Sequence, residues 1–395
     1  MKALDLLMKA YVTINKKLLF NHDKHCHTRE EQDKFLKRFN KTDDFFENSF
    51  NKYKCICYYH YNIISRAVYN FGALLILIPS FIYFNRRHLK LNTKNDGLLV
   101  VRKRELIRID DIFPSELKSK YDVYEYEVNI NKIYLDKAAN IVWLKAVRQH
   151  PLSFYYLFVV MERLAIQSTI IHKKNPAIIC NYVCEREFAD PILTYYSSQY
   201  EVEYDGFMHG DYRFQVDHAF MKYDCYWVWD EHYVEMFKNL KCSQTMRIYT
   251  PQKYMPMDII VRDENECPYY LTYYLSGEKK ESLDKIKEIF DVFNKRGKKC
   301  KIRPHPVDSN YEYIAYLFEN YYIEDTRNYS LEKSIEDTYL VVALNSTVLS
   351  QAYHSGKIIV IDDICDRDNY IDMLEKDYIS YKQAQYTLSE LLRNW

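Results

Sequence analysis

The run Lys301-Ile302-Arg303-Pro304-His305-Pro306 sets two cations at alternate positions and an imidazole just after them. On a strand, alternate side chains share a face, and a proline on each side of His305 restricts the backbone that carries it. The chemistry this suits is the binding of a phosphate. A second stretch, Asn345-Ser346-Thr347, follows the apolar run from Tyr339 to Leu344 and opens a helix. The first turn of a helix offers unpaired N–H groups and the positive end of its dipole, which together attract anions. Ser and Thr are also common helix N-caps without any ligand. Ser276-Gly277 closes the run Tyr269 to Leu275 in the same manner and joins the phosphate candidates.

A third stretch, Glu203-Tyr204-Asp205-Gly206-Phe207-Met208-His209-Gly210-Asp211, combines an imidazole with carboxylates and two glycines. An imidazole titrates near neutral pH and can take the proton of a hydroxyl, with an acid to orient it. His209 is the candidate base, and Asp205 and Asp211 are its candidate partners. Gly206 and Gly210 are expected where the backbone turns sharply beside a ligand.

These stretches need a scaffold. With 395 residues the chain is long enough for two domains. Lys plus Arg and Asp plus Glu are 55 each, a balance that argues against a protein devoted to nucleic acid. Glycine is only 7, and neither G-x-G-x-x-G nor a Walker A sequence occurs, so a nucleotide must be held without a glycine-rich loop. The 10 cysteines include no C-x-x-C, which removes the usual zinc and redox patterns and fits a reducing cytoplasm. His22, His25, Cys26 and His27 cluster without a second ligand pair, and no metal site is expected.

Residues 1–95 read as helical, from the helical spacing of Leu4, Leu7, Met8, Tyr11, Ile14 and Leu18 and of Phe35, Phe39, Phe45 and Phe46. The uncharged stretch Ala67 to Asn85, flanked by Arg66, Arg86 and Arg87, suits a core helix, a membrane span or a segment lying in a membrane surface. From about residue 97, strands and helices alternate, the signature of parallel sheets with crossover helices. Strands are expected at Leu98–Val101, Ala177–Cys180, Val202–Phe207, Tyr269–Leu275, Cys300–Arg303, Tyr321–Ile323, Tyr339–Leu344 and Lys357–Ile361. Helices are expected at Pro151–Ile171, Arg186–Tyr200, Ser282–Arg296, Tyr311–Asn320 and Leu331–Asp337. The aromatic-rich stretch from Asp211 to about Pro256 reads as a hinge. The domains are therefore 1–95, a helical extension with candidate membrane contact; 96–250, an acceptor-side α/β domain; and 251–395, a donor-binding α/β domain. Ligands of such sheets bind beyond the carboxyl ends of the strands.

Either Asp205-Gly206 or His209-Gly210, then His305-Pro306, then Ser346-Thr347, in this order along residues 97–365, resemble the motifs of GT-B glycosyltransferases that build bacterial surface polysaccharides. The resemblance is strongest to the sialyltransferase, polysialyltransferase and capsule-synthesis groups. It implies two Rossmann-like doubly wound domains facing a cleft, and His305, Ser346 and Thr347 as ligands of the phosphate of a CMP-activated acidic sugar. Arg303 is added on charge grounds alone. The acidic-Gly motif would supply the base, but the first of its two acidic positions is Tyr204. The His-Gly form is similar to that of CDP-polyol phosphotransferases, in which the histidine is the base. The implied function is transfer of a sugar such as sialic acid or Kdo to a hydroxyl of a surface glycan, without metal or cofactor, at the inner face of the cytoplasmic membrane. The alternatives are a polyol-phosphate transferase and a non-catalytic glycan-binding assembly protein.

Overall fold

The structure is a computed structural model, and it describes residues 27–88, 90–102, 109–182 and 187–393. Leu4 to Leu18, His22, His25, Cys26, Cys184 and Arg186 lie outside them. The chain divides into two compact units, with breaks at His209/Gly210, Arg213/Phe214 and Pro251/Gln252.

The first unit holds a sheet of β1 (Asn95–Arg102), β2 (Asp122–Tyr126), β3 (Pro176–Asn181), β4 (Glu203–Phe207), β5 (Cys225–Val228) and β6 (Thr245–Ile248). Every pair is parallel and the order is β2-β1-β3-β4-β5-β6. Parallel strands are joined by crossovers that cover both faces, so their sequences are apolar throughout rather than alternating. Leu99, Val100 and Val101 in β1 and Ile178, Ile179 and Cys180 in β3 are accordingly buried on both faces.

The stretch expected to be a hinge is instead part of this sheet. Tyr226-Trp227-Val228 is the buried β5, the helix Glu231–Asn239 follows it, and β6 closes the edge. Aromatic residues are strand formers when packed on a pleated surface, so the run marked a core strand.

The second unit holds β7 (Tyr269–Tyr274), β8 (Cys300–Arg303), β9 (Tyr322–Ile323), β10 (Thr338–Ala343), β11 (Ile358–Ile361) and β12 (Tyr386–Thr387). All pairs are again parallel, in the order β12-β11-β10-β7-β8-β9. Chain direction across the sheet reverses between β7 and β10, the switch point at which doubly wound sheets bind ligands. The helix Lys280–Lys295 buries Leu283, Ile286, Ile289, Phe290 and Phe293 on this sheet. Gly297, at φ +76°, ends it in the left-handed conformation that glycine adopts without strain.

The described N-terminal helices are Arg29–Leu36, Phe45–His60 and Ile63–Phe84. They belong to the first unit and dock on it through buried polar groups. Ser49 Oγ donates to Phe188 O at 2.7 Å, His60 Nε2 lies 2.8 Å from Asp217, and Lys52 Nζ is 3.7 Å from Asp190. Asp190 also accepts from Asn181, Tyr204 and Tyr223. Burial pushes its carboxyl up to about 6 against the pull of Lys52. The helix Ile63–Phe84 covers the apolar stretch noted above; Tyr69, Ala73, Ile76, Leu77, Ser80, Tyr83 and Phe84 are buried. It packs on Phe154–Lys174, the other helix among the described residues long and apolar enough to span a membrane, which is a mostly buried core helix.

Candidate functional site

In the second unit the sequence motifs meet. β7 runs out into Leu275-Ser276-Gly277, and Leu275 N–H still donates to Arg303 O at 3.0 Å, so the ends of β7 and β8 stay in register. Gly277 has φ +95°, and a Cβ there would lie 3.2 Å from Asp308 Cβ. The loop after β7 therefore abuts the loop that carries His305, and glycine is needed for both conformation and space. On the other side Ser276 Oγ donates to Asn345 O, which ties the same loop to the end of β10. Ser346 Oγ caps the helix Thr347–His354 by accepting Val348 N–H at 3.3 Å. His305, Ser276, Gly277, Ser346 and Thr347 thus share the carboxyl edge of three adjacent strands, at the switch point.

His305 is held in place by its own loop. Its Nδ1 accepts the backbone N–H groups of Val307 and Asp308 at 3.3 and 3.1 Å, and the His305 backbone N–H donates to Ser309 Oγ at 2.7 Å. A neutral ring with Nδ1 as acceptor carries its proton on Nε2, which makes Nε2–H a donor for a phosphate oxygen. The Asp308 carboxylate lies 3.1 Å from Nδ1. The ring is 40% exposed, so a ligand can reach it.

Arg303, placed on the phosphate by charge alone, is committed elsewhere. Its Nη1 donates to Glu324 Oε2 at 2.7 Å and its Nη2 to Tyr329 O at 3.1 Å. Lys301, fully buried, pairs with the other oxygen of Glu324, and Ser334 Oγ donates to the same carboxylate at 2.6 Å. Burial holds the Lys301 ammonium below its usual range despite Glu324. Glu324 lies at the end of β9 and takes both cations into the interior of the sheet edge. Sequence reasoning missed it because it stands 21 residues from Arg303. It missed Glu278 as well, whose two oxygens accept Ser276 N–H at 3.0 and 2.8 Å. Burial pushes the Glu278 carboxyl up. That N–H is thus occupied by the loop's own carboxylate, and Ser276 has its hydroxyl on Asn345.

The first unit treats its candidates differently. Asp205 is mid-strand in β4 and 2% exposed. It accepts Cys225 N–H at 3.2 Å and Trp227 Nε1–H at 3.1 Å. Burial pushes its carboxyl up to about 7, against the Trp227 hydrogen bond. It faces a cavity of about 270 Å³ shared with Glu203, Asp224, Arg247 and the helix Ser115–Lys120. Glu203, Asp224 and Thr245 stand at or just before the starts of their strands, so this cavity is away from the carboxyl edge. Gly206 likewise serves packing, since a Cβ there would lie 2.6 Å from the Tyr226 ring; the expected ligand approach does not explain it.

His209 follows the strand end, after Met208 N–H makes the last ladder bond to Trp227 O at 3.0 Å. Asp211 belongs to the second unit and accepts Tyr254 OH at 2.7 Å. Of the three catalytic candidates, His209 alone is at the carboxyl edge of the first sheet. Among the described residues, no group of three or more His, Cys, Asp or Glu is placed to hold a metal ion.

No known family and no curated protein matches the sequence. Solved structures similar to the chain include a UDP-N-acetylglucosamine 2-epimerase from Listeria monocytogenes, at 9% identity and TM-score 0.43 over 75% of this chain and 87% of that one. The lipopolysaccharide outer core galactosyltransferase WaaB is similar at 13% identity and TM-score 0.40, over 74% and 92%. The O-GlcNAc transferase of Thermobaculum terrenum is similar at 12% identity and TM-score 0.37, over 89% and 73%. At these values the fold rests on the strand orders themselves: two Rossmann-like doubly wound units in succession, the composition of the GT-B class.

Proposed function

We propose that the chain is a glycosyltransferase that uses a nucleotide sugar. The observation that carries this reading is the convergence of His305, Ser346-Thr347 and Ser276-Gly277, from three separate parts of the sequence, on the switch point of the second sheet. Nε2–H of His305, the hydroxyls of Ser346 and Thr347 and the N-terminus of the helix Thr347–His354 supply donors for a phosphate. They stabilise the charge that the phosphate gains as it leaves.

In the transfer step an acceptor hydroxyl oxygen bonds to the anomeric carbon. The bond from that carbon to the phosphate oxygen breaks, and its electron pair leaves with the nucleotide. His209 takes the hydroxyl proton. The burial of Asp205 supports His209 over Asp205 for this role. With Arg303 held by Glu324, its guanidinium is not offered to a diphosphate as a second clamp. This supports a monophosphate donor, a CMP-linked acidic sugar, with a surface glycan as acceptor.

A thermal-shift screen against CMP, CDP, UDP, GDP and their sugars tests the reading, because a ligand of the native state raises the melting temperature by mass action. A rise with CMP species is expected. A rise with UDP or GDP species would keep the phosphate site and replace the donor, and no rise with any of them would overturn the proposal. The preference for His209-Gly210 over Asp205-Gly206 favours one second reading, polyol-phosphate transfer from a CDP donor. It is told apart by phosphodiester phosphorus in the product.

A further inference from the structure

The helix Ile63–Phe84 has two apolar faces, and the other described residues cover only one. The covered face packs on the helix Phe154–Lys174, with Tyr69 stacked on Tyr155 at 5.2 Å. On the other face Ile64, Val68, Phe71, Leu75, Ile78 and Ile82 recur every three or four residues, and each is 50–71% exposed. Such a stripe runs along about 27 Å of helix at 1.5 Å per residue. It is widened by the neighbouring helix Lys137–Gln149 and the loop after it. Phe81 stacks on Trp143 at 4.8 Å, Asn85 Nδ2 donates to Asn140 at 3.2 Å, and Asn70 Nδ2 donates to Leu152 O at 3.2 Å. The exposed Ile141, Leu144 and Leu152 lie in these contacting segments. A contiguous apolar surface of this kind marks a docking site.

Its charge says what docks. The whole chain has as many acids as bases, yet residues 63–95 contain no Asp or Glu, and neither do residues 137–161. The charges in these two segments are basic, and Arg66, Arg87, Lys137, Lys145 and Arg148 are exposed. We propose that this face lies on an anionic lipid bilayer, with the Ile63–Phe84 helix in the plane of the surface and its apolar stripe among the acyl chains. An amphipathic helix with a basic border binds in this way, by apolar burial plus attraction to anionic headgroups. A spanning helix is not the reading, because one face is already packed in the protein and carries the buried Ser80. A second copy fits poorly. In a two-fold interface the patch meets itself, which would set one basic border against another.

Co-sedimentation of the full chain with vesicles tests this without any nucleotide, so its outcome is independent of the transferase proposal. Vesicles of phosphatidylglycerol and phosphatidylcholine are expected to carry the protein down, and pure phosphatidylcholine vesicles at least ~10-fold less well. Binding should weaken as salt shortens the Debye length from about 10 Å at 0.1 M to about 3 Å at 1 M. The double substitution Leu75→Asp with Ile78→Asp, on exposed positions, should abolish binding while the far-UV circular dichroism stays native. If that variant misfolds, Arg87→Glu with Arg148→Glu asks the same question by charge and should reduce binding at least ~10-fold. Protein that stays in the supernatant at every phosphatidylglycerol content would overturn the proposal, as would folded variants that bind like the wild type. A dimer in sedimentation velocity that Ile78→Asp dissociates would assign the face to a second copy instead, and so also overturn it.

Discussion

The two sheets are built alike and use their polar residues in opposite ways. In the second, the candidates sit in loops past the ends of β7, β8 and β10, where a hydrogen bond from Ser276 to Asn345 joins two of the loops and one from His305 to Ser309 fixes the third. In the first, the acidic candidate is inside β4, shielded from water and bonded to Trp227, and only His209 reaches the strand end. A parallel strand buried on both faces has little tolerance for a charge in its middle, so Asp205 is a group whose ionisation the fold opposes. The loops at the strand ends carry no such cost and can present donors to a ligand.

The largest expected effect separates His209 from Asp205. The substitution His209→Ala should lower the rate of transfer by ~10²–10⁴, the usual worth of a general base, with donor affinity unchanged. Normal turnover by this variant would remove the base from the first unit's strand edge. Next comes the interior of the second sheet. Glu324→Ala leaves Lys301 and Arg303 as uncompensated cations and should cost about 3–5 kcal/mol of stability in urea unfolding. An unchanged midpoint would mean that Arg303 is available to a ligand after all.

A smaller effect probes Asp205 through pH. Its carboxyl stands at about 7 in the folded chain, against about 3.9 unfolded. Between those values the folded state binds more protons, so stability falls as pH rises. The contribution is fully present below about pH 4 and lost as pH passes about 7, a difference of about 4 kcal/mol. Asp205→Asn should flatten the stability curve by that amount across this window. Equal slopes for the two proteins would show that the Asp205 carboxyl is not desolvated.

How much of this was legible in the sequence follows the same division. β7, β10 and β11 are short apolar runs that end at Ser276, Asn345 and Asp362, β8 is an alternating run that stops at Pro304, and turn residues punctuate all four plainly. Their ends, and therefore the phosphate candidates, could be placed by reading. β5 and β6 could not, because Tyr226-Trp227-Val228-Trp229 has no polar alternation and its large rings pass equally for a linker. Asp205-Gly206 read as a strand end because glycine usually punctuates. Here it makes room for the Tyr226 ring, a contact between strands 20 residues apart. Arg303 looked like a free cation since its partner, Glu324, comes from the far end of the next strand. Local pattern sets where strands stop, whereas which charge meets which is decided by the strand order.

The central claim is that the edge formed by His305, Ser276-Gly277 and Ser346-Thr347 binds the phosphate of a nucleotide. Titration calorimetry of CMP and the other nucleotides into the wild-type protein and His305→Ala tests it most directly. The account predicts saturable binding to the wild type that weakens ~10–100-fold in the variant, the worth of one hydrogen bond to a charged group. Equal affinity of the two proteins for the nucleotide that binds would contradict it.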